Sequence, residues 1–501
     1  MALKTTASNE FQTSSQVSKR VMVVGVVLAP MLAVWSVFFA QRSAGIPFVP
    51  EDTPTVMRGK ILGSSSLGFE KTVLAESYVV TSMRELTNDL GKVMLDRNGK
   101  AKTEPVFETK RSYPQNKLGS RLIGFTGDQE KGLYGVELFA HKQLLAGKDV
   151  VLTVDPVIQA MAEAALEKAI RSEQGDTGTI VILEAKTNRI LAMANYPNFD
   201  PNNWRGVQNK SNWSNRALRD YMDPGSTMKG LVAAALIDSG CATPETAVYA
   251  PMRRIISGIS IGDAIEHKPD LNLKSVLRYS SNVGISKLSE CLSSEKFYGY
   301  LHKYGFGQKV WNSNTWGTPG VLHDWRDWRP IDRANYSFGQ GISTTALHLA
   351  TAYSVLVNEG MLVTPTLMAG QKVKQPYRVV SSRAAKQTRE MLQASVEDGL
   401  KFGIVPGFPL GGKTGTAQTW TKNGRISSDV YGALFAGFFP VEQPKVTMLI
   451  EVFHPRRQKH GSQVSLPAFT DITRELTSYW QMTPTEASLK ASMYKKTHRT
   501  R

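Results

Sequence analysis

A serine and a lysine one helical turn apart, Ser226 and Lys229, have the residue types and the spacing for nucleophilic chemistry. They follow the helix-breaking sequence Asp-Pro-Gly and precede GLVAAALID, a strong helix-forming stretch, so we expect both side chains on one face of a helix start. A desolvated, neutral lysine can take the proton of the serine hydroxyl, and N–H groups at the helix start can stabilise a developing oxyanion. The pattern predicts a serine nucleophile for acyl transfer.

The Ser-x-x-Lys spacing is a weak signal when taken alone, because so short a pattern recurs by chance. It occurs again at Ser293 and Lys296 and at Ser492 and Lys495, where no neighbouring residue types suggest chemistry. Further motifs are therefore needed before Ser226 is preferred to an ordinary surface or cap serine.

Ser280-Ser281-Asn282, 54 residues after Ser226, is the second candidate element and lies on a predicted turn before a helix. Ser280 can relay a proton between a lysine and a leaving amine. Asn282 can hydrogen-bond Lys229 and a substrate amide, and we assign Ser281 to substrate binding. Turn and cap roles remain the alternative for these residues.

Lys413-Thr414-Gly415-Thr416 is the third candidate element and lies on the first of three strands predicted near the C-terminus. Lys413 adds positive potential, which favours a neutral lysine nearby. Gly415 lets a substrate backbone approach the strand edge and pair with it. The hydroxyls of Thr414 and Thr416 can hold a terminal carboxylate, and the Thr416 N–H can complete an oxyanion hole with that of the nucleophile.

The elements that must position these residues indicate an α+β fold. Five runs rich in apolar and β-branched residues are predicted as strands, namely 179–183, 190–194, 410–419, 431–439 and 445–453. Helical spacing of apolar residues predicts helices over 157–170 and 467–480 and through most of the stretch between the second and third strands. We therefore expect a central antiparallel sheet with helices inserted in its middle and flanking it.

The three motifs, in this order, resemble those of the class B penicillin-binding proteins, which are peptidoglycan D,D-transpeptidases. The resemblance covers about residues 110–470 and includes NRALRDYMDPGSTMK, YSFGQGISTTALHLATAYSVLVNEG and LGGKTGTAQT, while SSNVGISKL is similar to the division-type, FtsI-like branch. It implies a membrane anchor, a small α+β pedestal and a transpeptidase domain with the penicillin-recognising serine hydrolase fold. Asp223 stands where glutamate is commoner in the family, and the pedestal is short.

Composition excludes several other classes. The chain has 501 residues and a net charge of +17 that is spread along it, and no motif suggests nucleic acid as a partner. Its two cysteines exclude a disulfide scaffold and a cysteine-rich metal site, and its eight histidines form no i, i+4 pair of the kind found in helical zinc sites. We expect neither a metal nor a cofactor.

Residues 21–40 form an uncharged run of twenty residues that is long enough to span a bilayer at about 1.5 Å per residue. A cleaved signal peptide and a buried helix are the alternatives, but the run exceeds the usual apolar region of a signal. The charge bias predicts a cytoplasmic tail at 1–20 and an extracytoplasmic location for everything after residue 40. With the resemblance, the pattern along the chain implies a linker and pedestal at 41–149, a transpeptidase domain at 150–480 and a basic tail at 481–501. This topology describes a single-pass protein of the bacterial inner membrane with a periplasmic catalytic domain.

The sequence thus predicts a serine-type D-Ala-D-Ala transpeptidase that cross-links stem pentapeptides in septal cell-wall synthesis and is acylated by β-lactams. A β-lactam receptor or divisome scaffold without turnover is the alternative from another class, and a β-lactamase shares the fold. About 110 residues separate the anchor from the catalytic domain, too few for a glycosyltransferase domain beside a pedestal. The resemblance therefore implies a separate SEDS-family, FtsW-like glycosyltransferase and other divisome membrane proteins as partners.

Overall fold

A computed structural model describes residues 57–68, 71–89, 91–311, 316–400, 403, 405–420 and 426–484. The predicted anchor at 21–40, the tail before it and most of the basic C-terminal tail lie outside these ranges. Within them, no helix combines the length and the apolar character that crossing a membrane requires.

The first described region is a small sheet with short helices. Its elements are, in chain order, β1 (Ile61–Gly63), β2 (Thr72–Glu85), β3 (Thr103–Ser112), α1 (Ser120–Ile123), α2 (Gly135–Phe139), α3 (His141–Leu145) and β4 (Val150–Val151). The strand order is β3-β2-β1-β4, in which β2 and β3 form a long antiparallel hairpin and β1 runs parallel to β4. The sequence places β4 at the start of the transpeptidase domain, but it pairs with β1 and so belongs to the sheet of the preceding region.

The remaining elements form the larger part of the molecule. They are α4 (Pro156–Glu173), β5 (Thr177–Glu184), β6 (Ile190–Tyr196), α5 (Arg216–Arg219), α6 (Met228–Asp238), β7 (Ala247–Tyr249), β8 (Arg253–Ile256), β9 (Ile259–Gly262), β10 (Asp270–Asn272), α7 (Leu273–Tyr279), α8 (Asn282–Leu288), α9 (Ser294–Lys303), α10 (Pro330–Ser337), α11 (Ala346–Val357), β11 (Met361–Leu362), β12 (Tyr377–Arg378), α12 (Ser382–Gly399), β13 (Gly411–Trp420), β14 (Ile426–Phe439), β15 (Val446–Phe453) and α13 (Gly461–Tyr479).

The central sheet is antiparallel, and its described strands follow the order β13-β14-β15-β5-β6. Most of the helices lie in the segment between β6 and β13, after which the chain returns to the sheet. This arrangement confirms the predicted α+β class with helices inserted in the middle of the sheet. It also makes β13, the strand with the Lys-Thr-Gly motif, an edge strand.

Both faces of the central sheet are covered by helices. In β5, Ile180 and Ile182 pack in one apolar cluster with residues of α4 and α13, whereas Val181 and Leu183 belong to the cluster on the other face, which contains α11. Alternate strand residues point to opposite faces, so a sheet covered on both sides requires a continuous apolar run. This explains why the strand reads TIVIL without polar alternation.

Asp155 joins the small sheet to the larger part of the molecule. Its fully buried carboxylate caps the N-terminus of α4 by accepting from the backbone N–H groups of Val157 and Ile158. It also accepts from Ser66 N at 2.6 Å and from Tyr479 Oη at 3.0 Å. This single carboxylate therefore links the segment after β1 to α4 and to α13.

Several predicted elements differ from the structure. Strand β14 begins at Ile426, five residues before its predicted start. The last helix begins at Gly461, six residues before its predicted start, and Pro467 lies inside it. Proline favours the first turn of a helix, which is why the sequence suggests a start there. The predicted helical stretch also contains the hairpin β8–β9, whose turn residues Ser257 and Gly258 both have positive φ, as a two-residue hairpin of type I′ requires.

Cys241 and Cys291 form a disulfide with their Cα atoms 6.0 Å apart. Cys241 follows the C-terminus of α6, and Cys291 ends a 3₁₀ turn that follows α8. The bond thus connects the C-terminal ends of α6 and α8, two helices whose first turns carry the candidate site residues Lys229 and Asn282.

Candidate active site

The predicted nucleophile Ser226 lies in a 3₁₀ turn, Gly225–Thr227, that leads directly into α6. Gly225 has a φ of 52°, and its N–H donates to Gly339 O at 3.0 Å. A Cβ atom at Gly225 would lie 2.8 Å from the carbonyl oxygen of Thr416. Glycine is therefore required here both by the backbone conformation and by the close approach of β13.

Helix α6 is buried along almost its whole length and is held by two buried tyrosines. Tyr353 Oη donates to Thr227 O at 2.6 Å, and Tyr304 Oη donates to Leu231 O at 3.1 Å. Burial raises the pKa of Tyr353 and of Tyr304, so both hydroxyls keep their protons and act as donors. These two hydrogen bonds hold the backbone that carries the nucleophile in place.

Lys229 projects from the first turn of α6, and its side chain is fully buried. Its Nζ atom lies 3.0 Å from Ser226 Oγ. It lies 3.1 Å from Ser280 Oγ and also contacts the carbonyl oxygen of that residue. Asn282 Oδ1 is the nearest side-chain oxygen, at 2.7 Å. The structure thus brings the first two predicted motifs together around one amine.

Electrostatics favour the neutral form of this amine. Burial lowers the pKa of Lys229 well below its usual value, the positive charge of Lys413 lowers it further, and Asp263 opposes both by raising it. Lys413 is itself buried, which lowers its pKa to about 8. The direction of the Lys413 effect is the one the sequence predicts.

Ser280 and Ser281 occupy the turn between α7 and α8. Ser280 has a φ of 55°, a left-handed conformation that is uncommon for residues other than glycine. Ser281 is fully buried, caps α8 by accepting from Gly284 N at 2.8 Å, and donates its hydroxyl proton to Asp263. We therefore correct the assignment of Ser281 to substrate binding, because its side chain is used inside the protein.

The Lys-Thr-Gly-Thr motif lies on β13, beside the nucleophile turn. Lys413 Nζ lies 3.3 Å from Thr414 O and 3.4 Å from Thr414 Oγ1. Thr414 is half-buried and Thr416 is exposed, so this part of β13 remains accessible to a substrate. A Cβ atom at Gly415 would lie 2.9 Å from Thr227 Cγ2, so this glycine is needed for packing against the nucleophile turn as well as for the predicted approach of a substrate.

The profile of the penicillin-binding protein transpeptidase domain matches residues 178–474, which contain all three motifs. The chain belongs to this family. A probable peptidoglycan D,D-transpeptidase PenA from Neisseria gonorrhoeae is 32% identical over 397 residues, covering 73% of this chain and 68% of the relative. The peptidoglycan D,D-transpeptidase FtsI of Escherichia coli is 29% identical over 396 residues, covering 73% of this chain and 66% of that protein.

A solved structure of penicillin-binding protein 3 from Mycobacterium tuberculosis in complex with aztreonam has the same fold, with a TM-score of 0.75 and 26% identity over 87% of this chain and 98% of that one. Together these relatives identify the chain as a class B penicillin-binding protein of the FtsI type. The likeness covers more of the chain than the matched profile does.

The structure also reveals site residues of this penicillin-binding protein that the sequence motifs do not contain. Asp263 and His267 follow the β8–β9 hairpin. Asp263 accepts hydrogen bonds from the Ser280–Asn282 turn, and His267 contacts Asp263. The Ser257-Gly258 turn signal, flanked by isoleucines, predicts the hairpin in hindsight, but nothing in the spacing indicates where its end lies. Among the described residues, no group of three or more histidine, cysteine or acidic side chains is placed to hold a metal ion.

Proposed function

We propose that this protein is a peptidoglycan D,D-transpeptidase that works through an acyl-enzyme on Ser226. The observation that carries the proposal is the set of oxygen atoms around Lys229 Nζ. Two of them, Ser280 O and Asn282 Oδ1, can only accept hydrogen bonds, and a neutral amine has two N–H groups to donate to them. The lone pair of the amine then remains free to accept the hydroxyl proton of Ser226, whose Oγ lies 3.0 Å from Lys229 Nζ.

Acylation follows from this geometry. Lys229 takes the proton of Ser226 as Oγ attacks the carbonyl carbon of the penultimate D-Ala of a stem pentapeptide. The N–H groups of Ser226 and Thr416 are the proposed donors to the oxyanion. When the tetrahedral intermediate collapses, the proton passes from Lys229, with Ser280 as a relay, to the departing amine of the terminal D-Ala. The C–N bond breaks and the acyl group remains on Ser226.

The second step transfers the acyl group to an amine of a neighbouring stem peptide. The incoming amine occupies the position of the departed D-Ala and attacks the ester carbonyl carbon, while Lys229 accepts its proton. The C–Oγ bond then breaks, Ser226 Oγ regains a proton from Lys229, and the cross-linked amide is released. β13 is an edge strand, so the stem peptide can align along it by backbone hydrogen bonds. Thr414 and Thr416 are proposed to hold the terminal carboxylate, and Lys413 to favour it electrostatically. A β-lactam is proposed to enter by the same acylation step and to remain on Ser226.

The experiment that tests this function is a reaction of the purified protein with a peptide ending in D-Ala-D-Ala and an acceptor amine. The proposal predicts release of D-Ala together with a cross-linked product, both detected by mass spectrometry. Stable acylation by penicillin with no peptide turnover would instead indicate a receptor or scaffold. Rapid hydrolysis of the penicilloyl-enzyme would indicate a β-lactamase.

We further propose that the catalytic domain lies outside the cytoplasm, anchored by the apolar segment at 21–40. The Cys241–Cys291 disulfide supports this location, because such bonds form and persist in oxidising compartments. The lysines and arginine before the apolar segment support a cytoplasmic N-terminus. A protease applied to intact spheroplasts should therefore digest the catalytic domain, and complete protection would contradict this topology.

A role in septal cell-wall synthesis is proposed from the similarity to FtsI of Escherichia coli. Glycan strands for the reaction would then come from a separate membrane glycosyltransferase of the SEDS family, with other division proteins as partners. The described part of the region before β4 folds as one small sheet with short helices, which is consistent with a pedestal. This supports the proposal that the polymerase is a separate protein. The proposal predicts co-purification with such a polymerase. Loss of that co-purification when residues 21–40 are replaced by an unrelated spanning segment would place the contact in the anchor.

A further inference from the structure

The turn that carries Ser280 and Asn282 is held by a carboxylate from another part of the chain. Asp263 follows strand β9, and its side chain is fully buried. One of its oxygens, Oδ1, accepts from the backbone N–H groups of Asn282 and Val283, the latter at 3.0 Å. The other, Oδ2, accepts from the hydroxyl of Ser281. Three consecutive residues at the start of α8 are thus bound to a single carboxylate.

The same segment fixes the side chain of Asn282. Its Nδ2 donates to Gly262 O at 2.8 Å, which leaves Oδ1 directed at Lys229 Nζ, 2.7 Å away. A rotated amide would present an N–H group to the amine and would lose both hydrogen bonds. The residue pair Gly262 and Asp263 therefore sets both the backbone and the amide orientation of Asn282.

This restraint acts on a turn that does not favour its own conformation. Ser280 is left-handed, with a φ of 55°, and such strain persists only where the surroundings impose it. Ser280 also supplies two of the four oxygens around Lys229. Without the bonds from Asp263, relaxation of the turn would move these oxygens away from the amine.

His267 completes the arrangement. Its Nε2 lies 2.8 Å from Asp263 Oδ2 and its Nδ1 lies 2.8 Å from Lys268 O, so both ring nitrogens face acceptors. Both hydrogen bonds form only when both nitrogens carry protons. The ring is fully buried and packs against Tyr279, with centroids 5.7 Å apart. The Nε2–H group of His267 donates to Asp263 Oδ2 and therefore orients this carboxylate.

We propose that Asp263 and His267 are a positioning pair that holds the Ser280–Asn282 turn in the geometry that acylation requires. Neither residue is expected to touch the substrate. The inference deepens the proposed function, because it concerns the same reaction at Ser226. It assigns the pair to the acylation step and not to peptide binding.

The test measures acylation by a chromogenic or fluorescent penicillin in rapid-mixing experiments, which separate non-covalent binding from the chemical step. Asp263→Ala is expected to slow the chemical step on the order of 100-fold, with little change in the dissociation constant, because a small displacement of catalytic groups has effects of this size. The same substitution in an Asn282→Ala background should slow the step clearly less than in the wild type, because part of the effect of Asp263 acts through the Asn282 side chain. Effects that multiply in the double variant would overturn the proposal.

Further variants separate positioning from general stability. His267→Gln keeps a donor toward Asp263 and should stay near the wild-type rate, whereas His267→Leu should slow acylation by at least about tenfold. Glu266→Ala is the matched control, since this acid lies on the same segment and is exposed. If Asp263→Ala does not fold, Asp263→Asn and the His267 variants provide the same comparison. A lowered melting temperature with an unchanged acylation rate would contradict a positioning role.

The outcome is separable from that of the proposed function. A wild-type protein that is acylated at Ser226 but never cross-links peptides would overturn the proposed function and leave the positioning role intact. An Asp263→Ala protein that is acylated as fast as an active wild type would overturn the positioning role alone.

Discussion

Lys229 is the residue on which the proposed chemistry depends, because it is the only described side chain amine within hydrogen-bond reach of Ser226 Oγ. Lys229→Ala should lose acylation by several orders of magnitude while the protein remains folded. Lys229→Arg should also be inactive, because a guanidinium keeps its proton at any accessible pH. Lys296→Ala, in the second Ser-x-x-Lys pattern, is the control and should react normally. The measurement is the second-order rate of labelling by a reporter penicillin, with melting temperatures alongside.

The pH dependence of acylation also belongs at this scale. Acylation needs neutral Lys229, so its rate should fall as the pH drops and the amine gains a proton. The charge of Lys413 lowers the pKa of Lys229, so Lys413→Met should raise that pKa and move the acidic limb of the profile to higher pH. The exposed Lys386→Met variant should leave the limb in place. An unmoved limb in the Lys413→Met profile would show that the two amines do not interact.

At the scale of elements, the close contact between β13 and the nucleophile turn is the feature that sets the site. Gly225→Ala places a Cβ atom 2.8 Å from Thr416 O in a backbone with positive φ. Gly240→Ala is a matched control, because Gly240 also has positive φ but no atom lies within 4 Å of the added Cβ. We expect Gly240→Ala to cost about 1 kcal/mol of unfolding free energy. Gly225→Ala should cost at least about 1 kcal/mol more and should also slow acylation. Equal costs in urea unfolding would contradict the close contact.

Elements with a strong local pattern were predictable from the sequence. The runs that became β5, β6 and the three late strands are apolar and β-branched, and the two motifs on turns are flanked by good helices. The hairpin β8–β9 was missed because its four-residue strands are too short to show a clear period. The predicted start of α13 was wrong because proline favours the first turn of a helix, whereas Pro467 lies inside this one. Neither error touches the nucleophile.

The parts of the site that escaped prediction depend on contacts between distant segments. Ser281 looked like a substrate-binding residue because of its motif, but only the fold shows that Asp263 occupies its hydroxyl. Likewise, Gly225 and Gly339 meet through a backbone hydrogen bond across more than one hundred residues of chain. Sequence spacing carries no information on such pairs, since loop closure at this separation depends on the whole fold.

At the scale of the whole molecule, the Cys241–Cys291 disulfide is a testable element of stability. It closes a loop of 50 residues, for which the restriction of the unfolded chain amounts to about 4 kcal/mol. The melting temperature of the wild type should fall in a reducing buffer, whereas the Cys241→Ser/Cys291→Ser double variant should be lower from the start and insensitive to reductant. Identical melting curves for the wild type with and without reductant would indicate that the two thiols are not paired in solution.

The identity of the acylated residue tests the central claim most directly. The full-length protein is labelled with a reporter penicillin and digested, and the modified peptide is sequenced by mass spectrometry, in parallel with Ser226→Ala, Ser293→Ala and Ser492→Ala variants. We predict one adduct, on Ser226, that disappears in the Ser226→Ala variant and persists in the other two. A label that persists on the Ser226→Ala protein, or that maps to another serine in the wild type, would contradict the assignment of the nucleophile and with it the proposed mechanism.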